Sequence, residues 1–256
     1  MLTLIMQRWR IHTRMRIITH NTYWFQGAPS RWGDERVADV PEVFAALVEL
    51  YGKLQPDMLC LQEVHRAELV EGLANELGMS QWLHVPGGRR RDYGGAVLSR
   101  GQADFRDCTT LDSQVHERYH VRATVNCDGE TIEMAAIHLP SNRFAGSPAG
   151  GERARVAELE RVLAAAPLPD IVLGDMNCVP DSDTYRRAMQ AGYRDAATAG
   201  PGPALPERVD HVWLAPRIAD RLRSFTCIDD GDFVRVDAKG GRWRLSDHPI
   251  LVVELA

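Results

Sequence analysis

A chain of 256 residues that is 45% hydrophobic and 25% charged has ordinary globular composition and enough length to bury a sizeable core. Its formal net charge of −5 argues against a protein whose main work is gripping a polyanion, although a local basic patch would still serve. The five cysteines are scattered, form no CxxC pair and no zinc spacing, and read as mostly buried thiols of a reducing, cytoplasmic compartment.

The amino terminus, MLTLIMQRWRIHTRM, has a short apolar start followed by arginines, the reverse of a secretory signal. No segment is long and apolar enough to span a membrane. Residues 1–14 read as an upstream extension, disordered or produced by a start assigned too early. Residues 15–256 read as one domain, because no linker, repeat or low-complexity tract divides them.

MRIITHN is a first strand. VPEVFAALVELYGKLQPD carries apolar residues at spacings of three and four, which predicts an amphipathic helix with Pro41 in its first turn and a stop at Gln55, Pro56 and Asp57. MLCLQEV is a buried strand ending in Glu63, and AELVEGLANELG is a helix stopped by Gly78. GGAVLSR and YHVRATVNCDGETIEMAAIHL look antiparallel, the second with a hairpin turn at Asp128 and Gly129. ERARVAELERVLAAA is a helix, IVLGDMN a buried strand and DTYRRAMQAG a short helix. RVDHVWLA, RLRSFTCI and PILVVEL supply the last strands. Helices alternating with strands and hairpins predict an α/β (α+β) fold of mixed sheets covered by helices.

Polar residues stand where these apolar runs end: Asn21, Glu63, His138, Asp175, Asn177, Asp210, Asp247 and His248. A sheet needs none of them there, and an unpaired carboxylate near a core is costly. Asp175 and Asn177 are two apart, so in an extended chain they point the same way. If the strands are neighbours, the set suits metal-assisted phosphoester hydrolysis. Hard oxygen ligands such as Glu63 and Asp247 fit Mg²⁺ or Mn²⁺. His248 with Asp210 makes a carboxylate–histidine pair, and His138 and Asn177 are donors for phosphoryl oxygens.

In this order the motifs resemble the endonuclease/exonuclease/phosphatase superfamily, a DNase I-like group. THNTYW resembles its asparagine motif, LQEV its metal-binding glutamate motif and YGGAVLSR its glycine-led strand. AIHLPS resembles the catalytic-histidine motif and LGDMN the Gly-Asp-x-Asn motif. RVDHVWL and LSDHPILV resemble the two carboxy-terminal motifs. The resemblance runs from about Met15 to the end. It implies a four-layer sandwich of two mixed β-sheets flanked by helices, with the site at one end. It also implies Glu63 as main metal ligand, supported by Asn21 and Asp247. Asp175 would position or activate the attacking water, Asn177 bind phosphate and His138 stabilise the transition state. His248, oriented by Asp210, would be a general base or phosphate ligand.

Substrate-side candidates are Arg91 and Tyr93 in the basic stretch GGRRRDYGG, Arg118, and Asn142 in the Gly/Pro/Ser-rich loop PSNRFAGSPAGGER. His65, His84, His116, His120 and His211 read as structural. The expected partner is a phosphoester, a small molecule or lipid headgroup in preference to nucleic acid. A nuclease is the runner-up, and a non-catalytic binding module or a structural metal scaffold the contrasting class. Oligomeric state is left open.

Overall fold

The computed structural model describes residues 14–28, 39–111, 114–127, 129–199, 207–236 and 240–256. The expected extension, apart from Arg14, and Asp128 of the expected hairpin turn lie outside the described residues.

Strand β1 (Met15–Asn21) is followed by helix α1 (Pro41–Leu54) and strand β2 (Met58–Gln62). Pro41 occupies the first turn of α1, where its missing N–H costs nothing. Helix α2 (Ala67–Leu77) ends on Gly78 in the left-handed conformation (φ 63°), and strands β3 (Gln81–Val85), β4 (Gly95–Ser99) and β5 (Ala103–Asp107) follow. A small hairpin, β6 (Thr110–Leu111) with β7 (Gln114–Val115), precedes the long pair β8 (His120–Cys127) and β9 (Glu130–His138). Helix α3 (Pro148–Ala164) leads to β10 (Ile171–Asp175), α4 (Asp183–Gln190), β11 (Arg194–Asp195), α5 (Ala196–Ala199) and β12 (Asp210–Leu214). The chain closes with α6 (Pro216–Ala219), β13 (Leu222–Ile228), the hairpin β14 (Val234–Val236) and β15 (Arg242–Arg244), and β16 (Ile250–Leu255). Among the described residues no helix is long and apolar enough to cross a membrane.

Two six-stranded mixed sheets result, ordered β13-β16-β1-β2-β4-β3 and β11-β12-β10-β9-β8-β5. Period-two alternation decides what lies between them. Ile17, Met58, Cys60 and Val97 of the first sheet meet Val121, Met134, Ala136, Leu173 and Val212 of the second in one inner core. The opposite face of the first sheet, with Ile18, Leu59 and Leu61, packs on Leu47 and Tyr51 of α1 and Leu73 of α2. The opposite face of the second sheet, with Ala135, Ile137 and Val172, packs on Leu159 and Val162 of α3. Helix, sheet, sheet and helix make four layers, and burying each large apolar side chain contributes roughly 1.5–3 kcal/mol.

Connectivity places the strand ends. β1 and β2 are parallel, as are β9 and β10, and each parallel pair needs a crossover, supplied by α1 and α3. The carboxy-terminal ends of all four strands therefore lie at one end of the sandwich. β12 and β16 run antiparallel to them and begin at that same end, with Asp210 opposite Asp175 and Leu251 opposite Thr19.

One segment departs from expectation. The Gly/Pro/Ser-rich stretch after His138 is not loop throughout. Ser147 accepts a hydrogen bond from the Gly150 amide and Pro148 opens α3, so the helix starts ahead of the apolar pattern that marks it.

Candidate active site

Alternation that buries Ile17, Met134, Leu173 and Val212 between the sheets carries Asn21, His138, Asp175 and Asp210 to that same inner side at the strand ends. All four are nearly inaccessible. Asp175 is their junction. Its Oδ2 accepts a hydrogen bond from Asn21 Nδ2 at 3.0 Å and lies 3.0 Å from His138 Nε2 and 3.8 Å from His248 Nε2. Its Oδ1 accepts from the Asn177 amide at 2.9 Å.

Asn177 reaches the site differently from the expectation. β10 ends at Asp175, and Asn177 has φ 48°, so a turn and not strand alternation brings it back. Asn tolerates this left-handed geometry better than most residues. Its Nδ2 donates to Leu139 O at 3.0 Å.

The Ser-Asp-His segment is held by its neighbours. Ser246 Oγ donates to Asn21 O at 2.7 Å and accepts from the His248 amide at 3.2 Å. His248 Nδ1 lies 2.8 Å from Asp210 Oδ2. Burial opposes charge on this ring, but Asp210, Asp175 and Asp247 outweigh it and hold its pKa well above the ordinary value. His248 is therefore a cation at neutral pH. Asp175 is buried as well, yet His138, His248 and Arg118 hold its carboxyl below the usual range. Asp247 stands exposed at the rim.

Glu63 follows β2 with φ 56° and is only 6% exposed. Burial drives its carboxyl up to about 7, with Arg118, 3.8 Å away, opposing. Arg118 also contacts His138 Nε2, the atom that faces Asp175. A guanidinium only donates and an ionised carboxylate only accepts, so one ring nitrogen cannot satisfy both.

Hard-cation donors are present in Glu63, Asn21 and Asp247, and a buried carboxyl driven toward neutrality is stabilised by a cation. The tightest ligand group among the described residues is a different one, Asp175, Asp210 and His248, with ligand atoms within 4.8 Å of one another. That group already carries its own cation on His248, so Glu63 fits a divalent ion better.

Tyr93 is buried, 6.3 Å between centroids from His138, with the Arg118 guanidinium 4.4 Å above its ring. Trp24 and Phe144 pack edge-on against Tyr93. The other two expected substrate-side residues, Arg91 and Asn142, lie between the main elements. Arg91 is exposed in the turn after β3, where its backbone carbonyl accepts from the Gly87 amide as the loop folds back. Asn142 Oδ1 accepts from Arg155 of α3 at 3.0 Å, so its amide anchors the loop to the helix. Arg90 is stacked 3.9 Å over Phe144, which itself packs on Tyr93.

Sequence reasoning missed His20. Alternation turns it to the outer face, where Nδ1 meets the Tyr51 hydroxyl at 2.5 Å and Nε2 the His248 carbonyl at 3.2 Å. A carbonyl only accepts, so Nε2 carries the proton and Tyr51 donates to Nδ1. The only signal was a histidine beside Asn21 on a strand that buries both faces. Among the other histidines, His211 is buried with Nε2 2.8 Å from Cys178 O, and His84 meets Val64 O.

No curated protein matches the chain by sequence. Solved structures share its fold. The human Nocturnin catalytic domain with bound sulfate is 19% identical with a TM-score of 0.65, covering 96% of this chain and 94% of its own. A mannosyl-6-phosphatase from Bacteroides thetaiotaomicron is 15% identical with a TM-score of 0.65, covering 94% of this chain and 99% of its own. A family protein from Leptotrichia buccalis is 17% identical with a TM-score of 0.63, covering 94% and 99%. A family model spans residues 18–248, from β1 to His248 and thus across every residue converging on Asp175, and the chain belongs to the Endonuclease/Exonuclease/phosphatase family, hydrolases of phosphoester bonds.

Proposed function

We propose that the protein is a divalent-metal-dependent phosphoesterase that hydrolyses a phosphodiester, or a phosphomonoester, by in-line attack of water. The observation carrying this reading is the convergence of Asn21, His138 and His248 on one oxygen of Asp175. Glu63, with Asn21 and Asp247, would hold Mg²⁺ or Mn²⁺, and the bound ion would neutralise phosphoryl charge and steady the leaving oxygen.

The chain's own groups divide the remaining work. Asp175, kept ionised, orients the attacking water and accepts its proton as the new P–O bond forms and the ester bond breaks. His248, already a cation, donates to the phosphoryl group and does not act as base. His138, Asn177 and Arg118 donate to the equatorial oxygens as charge builds. Asp210 fixes the His248 ring.

A small-molecule or lipid-headgroup substrate is favoured. The net charge is −5, and a nuclease gains affinity from many Lys/Arg contacts along the backbone. The neighbouring mannosyl-6-phosphatase is by its name a phosphomonoesterase, which keeps monoesters in range. The deciding experiment is a Mg²⁺/Mn²⁺-supplemented screen against inositol phosphates, phospholipids, nucleotides, abasic DNA and plasmid, with Glu63→Gln in parallel. Turnover of a small phosphoester, lost in EDTA and in the variant, is expected. EDTA-insensitive turnover would overturn the metal mechanism, and plasmid cleavage with steep salt dependence would establish the nuclease instead.

A further inference from the structure

A second polar cluster lies on the outer face of the second sheet, away from the inner-facing groups around Asp175. A cleft of about 620 Å³ opens between the β5–β8 edge and the carboxy-terminal half of α3. Its polar lining includes Arg106, Cys108, His116, His120, Arg122 and Arg161. Val121 and Ala123 face the inner core, so His120 and Arg122 on the same strand face this cleft.

The polar accounting here does not close. His120 is 3% exposed, and neither of its ring nitrogens has a hydrogen-bond partner. Nη1 of Arg161 is likewise buried without one. Buried polar groups left in this state are uncommon and call for a reason. The neighbours do not supply it. Arg122 is occupied by Glu133 and by the Pro167 carbonyl just beyond α3. Glu160 is taken by Arg187. Glu158 accepts from the Glu117 amide and faces His116, whose ring meets that of His120 edge-on at 5.0 Å. The carbonyl end of α3 thus accounts for Arg122, but not for Arg161 or His120.

Three guanidiniums exclude a metal ion, although His116, His120 and Cys108 are donors. Among the described residues no group of three ligand atoms within bonding range includes them. What satisfies Arg161 and His120 together is an acceptor with several oxygens and negative charge. We propose that this cleft is a second anion site, one that binds a phosphoryl group or an equivalent small dianion through Arg161, His120 and Arg106, apart from the catalytic cluster. Burial, with His116 and Arg122 adding to it, disfavours a proton on His120, and an anion in the cleft would oppose that.

The test follows the His120 and His116 ring signals by ¹⁵N NMR in the full chain, in EDTA, during titration with inorganic phosphate and separately with phenylphosphonate. Saturable shifts at millimolar concentration are expected. Shifts with phosphate alone identify the free ion as ligand, and shifts with both identify a phosphoryl group on a larger molecule. Arg106→Gln, on an exposed strand residue, and Arg161→Gln should each weaken binding roughly tenfold, about the value of one charge-assisted hydrogen bond. Arg118→Gln, in the catalytic cluster, should leave these shifts in place. No shift up to about 20 mM anion, well beyond a weak specific site, would overturn the proposal. So would shifts insensitive to both arginine variants, or shifts abolished by Arg118→Gln.

Discussion

His248 Nδ1 lies 2.8 Å from Asp210 Oδ2, and this contact decides what His248 is able to do. The carboxylate fixes the ring so that Nε2 points at Asp175, 3.8 Å away. It also stabilises the imidazolium against a partial burial that favours the neutral form. Asp210 has its other oxygen buried without a partner, so its charge is directed at this one ring.

Asp210→Asn keeps the shape and removes the charge. We expect kcat to fall by about 10²- to 10³-fold, the range for losing one oriented donor to the transition state. The His248 pKa should drop toward its ordinary value, because the cation loses its nearest anion. The basic limb of the kcat/KM profile should then move to lower pH. A pH–rate profile of the variant checks this, and a limb that stays in place would mean that another group titrates there.

Glu63→Gln separates function from stability. The folded carboxyl titrates near 7 against an ordinary 4.5, so folding is penalised as pH rises through that window. At pH 8 without metal, the ionised group costs up to about 3 kcal/mol, which the amide relieves. The variant should therefore unfold at higher urea than the parent in EDTA, yet bind Mn²⁺ at least roughly tenfold more weakly, by titration calorimetry. Equal or lower stability of the variant would show that Arg118 already neutralises Glu63.

How much of this was legible beforehand follows from distance along the chain and from backbone shape. The strands and the inner-facing Asn21, His138, Asp175 and Asp210 follow from apolar runs that end in polar residues, and alternation carries them. Asn177 comes to Asp175 by a route that alternation did not predict, since its position depends on a left-handed turn that no periodicity encodes. The surroundings of Arg91 and Asn142 were not legible, because loop side chains obey no period. One loop folds back on Gly87, and the other is tied down by Arg155 of a helix whose first turn hides in Gly/Pro/Ser composition. The His20–Tyr51 bond joins residues 31 apart and exists only because α1 packs on the outer face of β1.

Three buried histidines make the metal-free protein sensitive to acid. Burial lowers His20 to about 3 and holds His120 and His138 well below the ordinary 6.5. The unfolded chain binds protons that the folded one refuses, so stability is full above pH 6.5 and falls below it, by about 1.4 kcal/mol per pH unit for each ring. Glu63, raised, works in the opposite direction between 4.5 and about 7. The net expectation is a loss of about 2 kcal/mol between pH 6.5 and 5.5, where the unfolded rings are only partly protonated. Urea unfolding at pH 6.5 and 5.5 measures it, and His20→Gln should flatten the slope by about one proton. A pH-independent midpoint would contradict the neutral assignment of these rings.

Gly174 ties the sheet to the site. It sits at φ 136°, and a Cβ there would come within 1.9 Å of the Ile137 carbonyl oxygen on the neighbouring strand. That atom is backbone in the β9–β10 pairing, one step before the pair of Asp175 with His138, so it cannot move without opening the ladder that sets those two side by side. Gly174→Ala combines a conformation that L side chains rarely adopt with a clash that has no soft partner. Destabilisation of about 3 kcal/mol or more is expected, by the same mechanism that makes strained or overpacked core substitutions costly. The activity of whatever fraction folds should fall as well, because separating β9 from β10 lengthens the contact between His138 Nε2 and Asp175 Oδ2, now 3.0 Å. Urea unfolding followed by kcat on the folded fraction tests both halves. A variant of normal stability would show that the strand relaxes more easily than the backbone contact implies. A destabilised variant with undiminished kcat would show that the His138–Asp175 contact tolerates the shift.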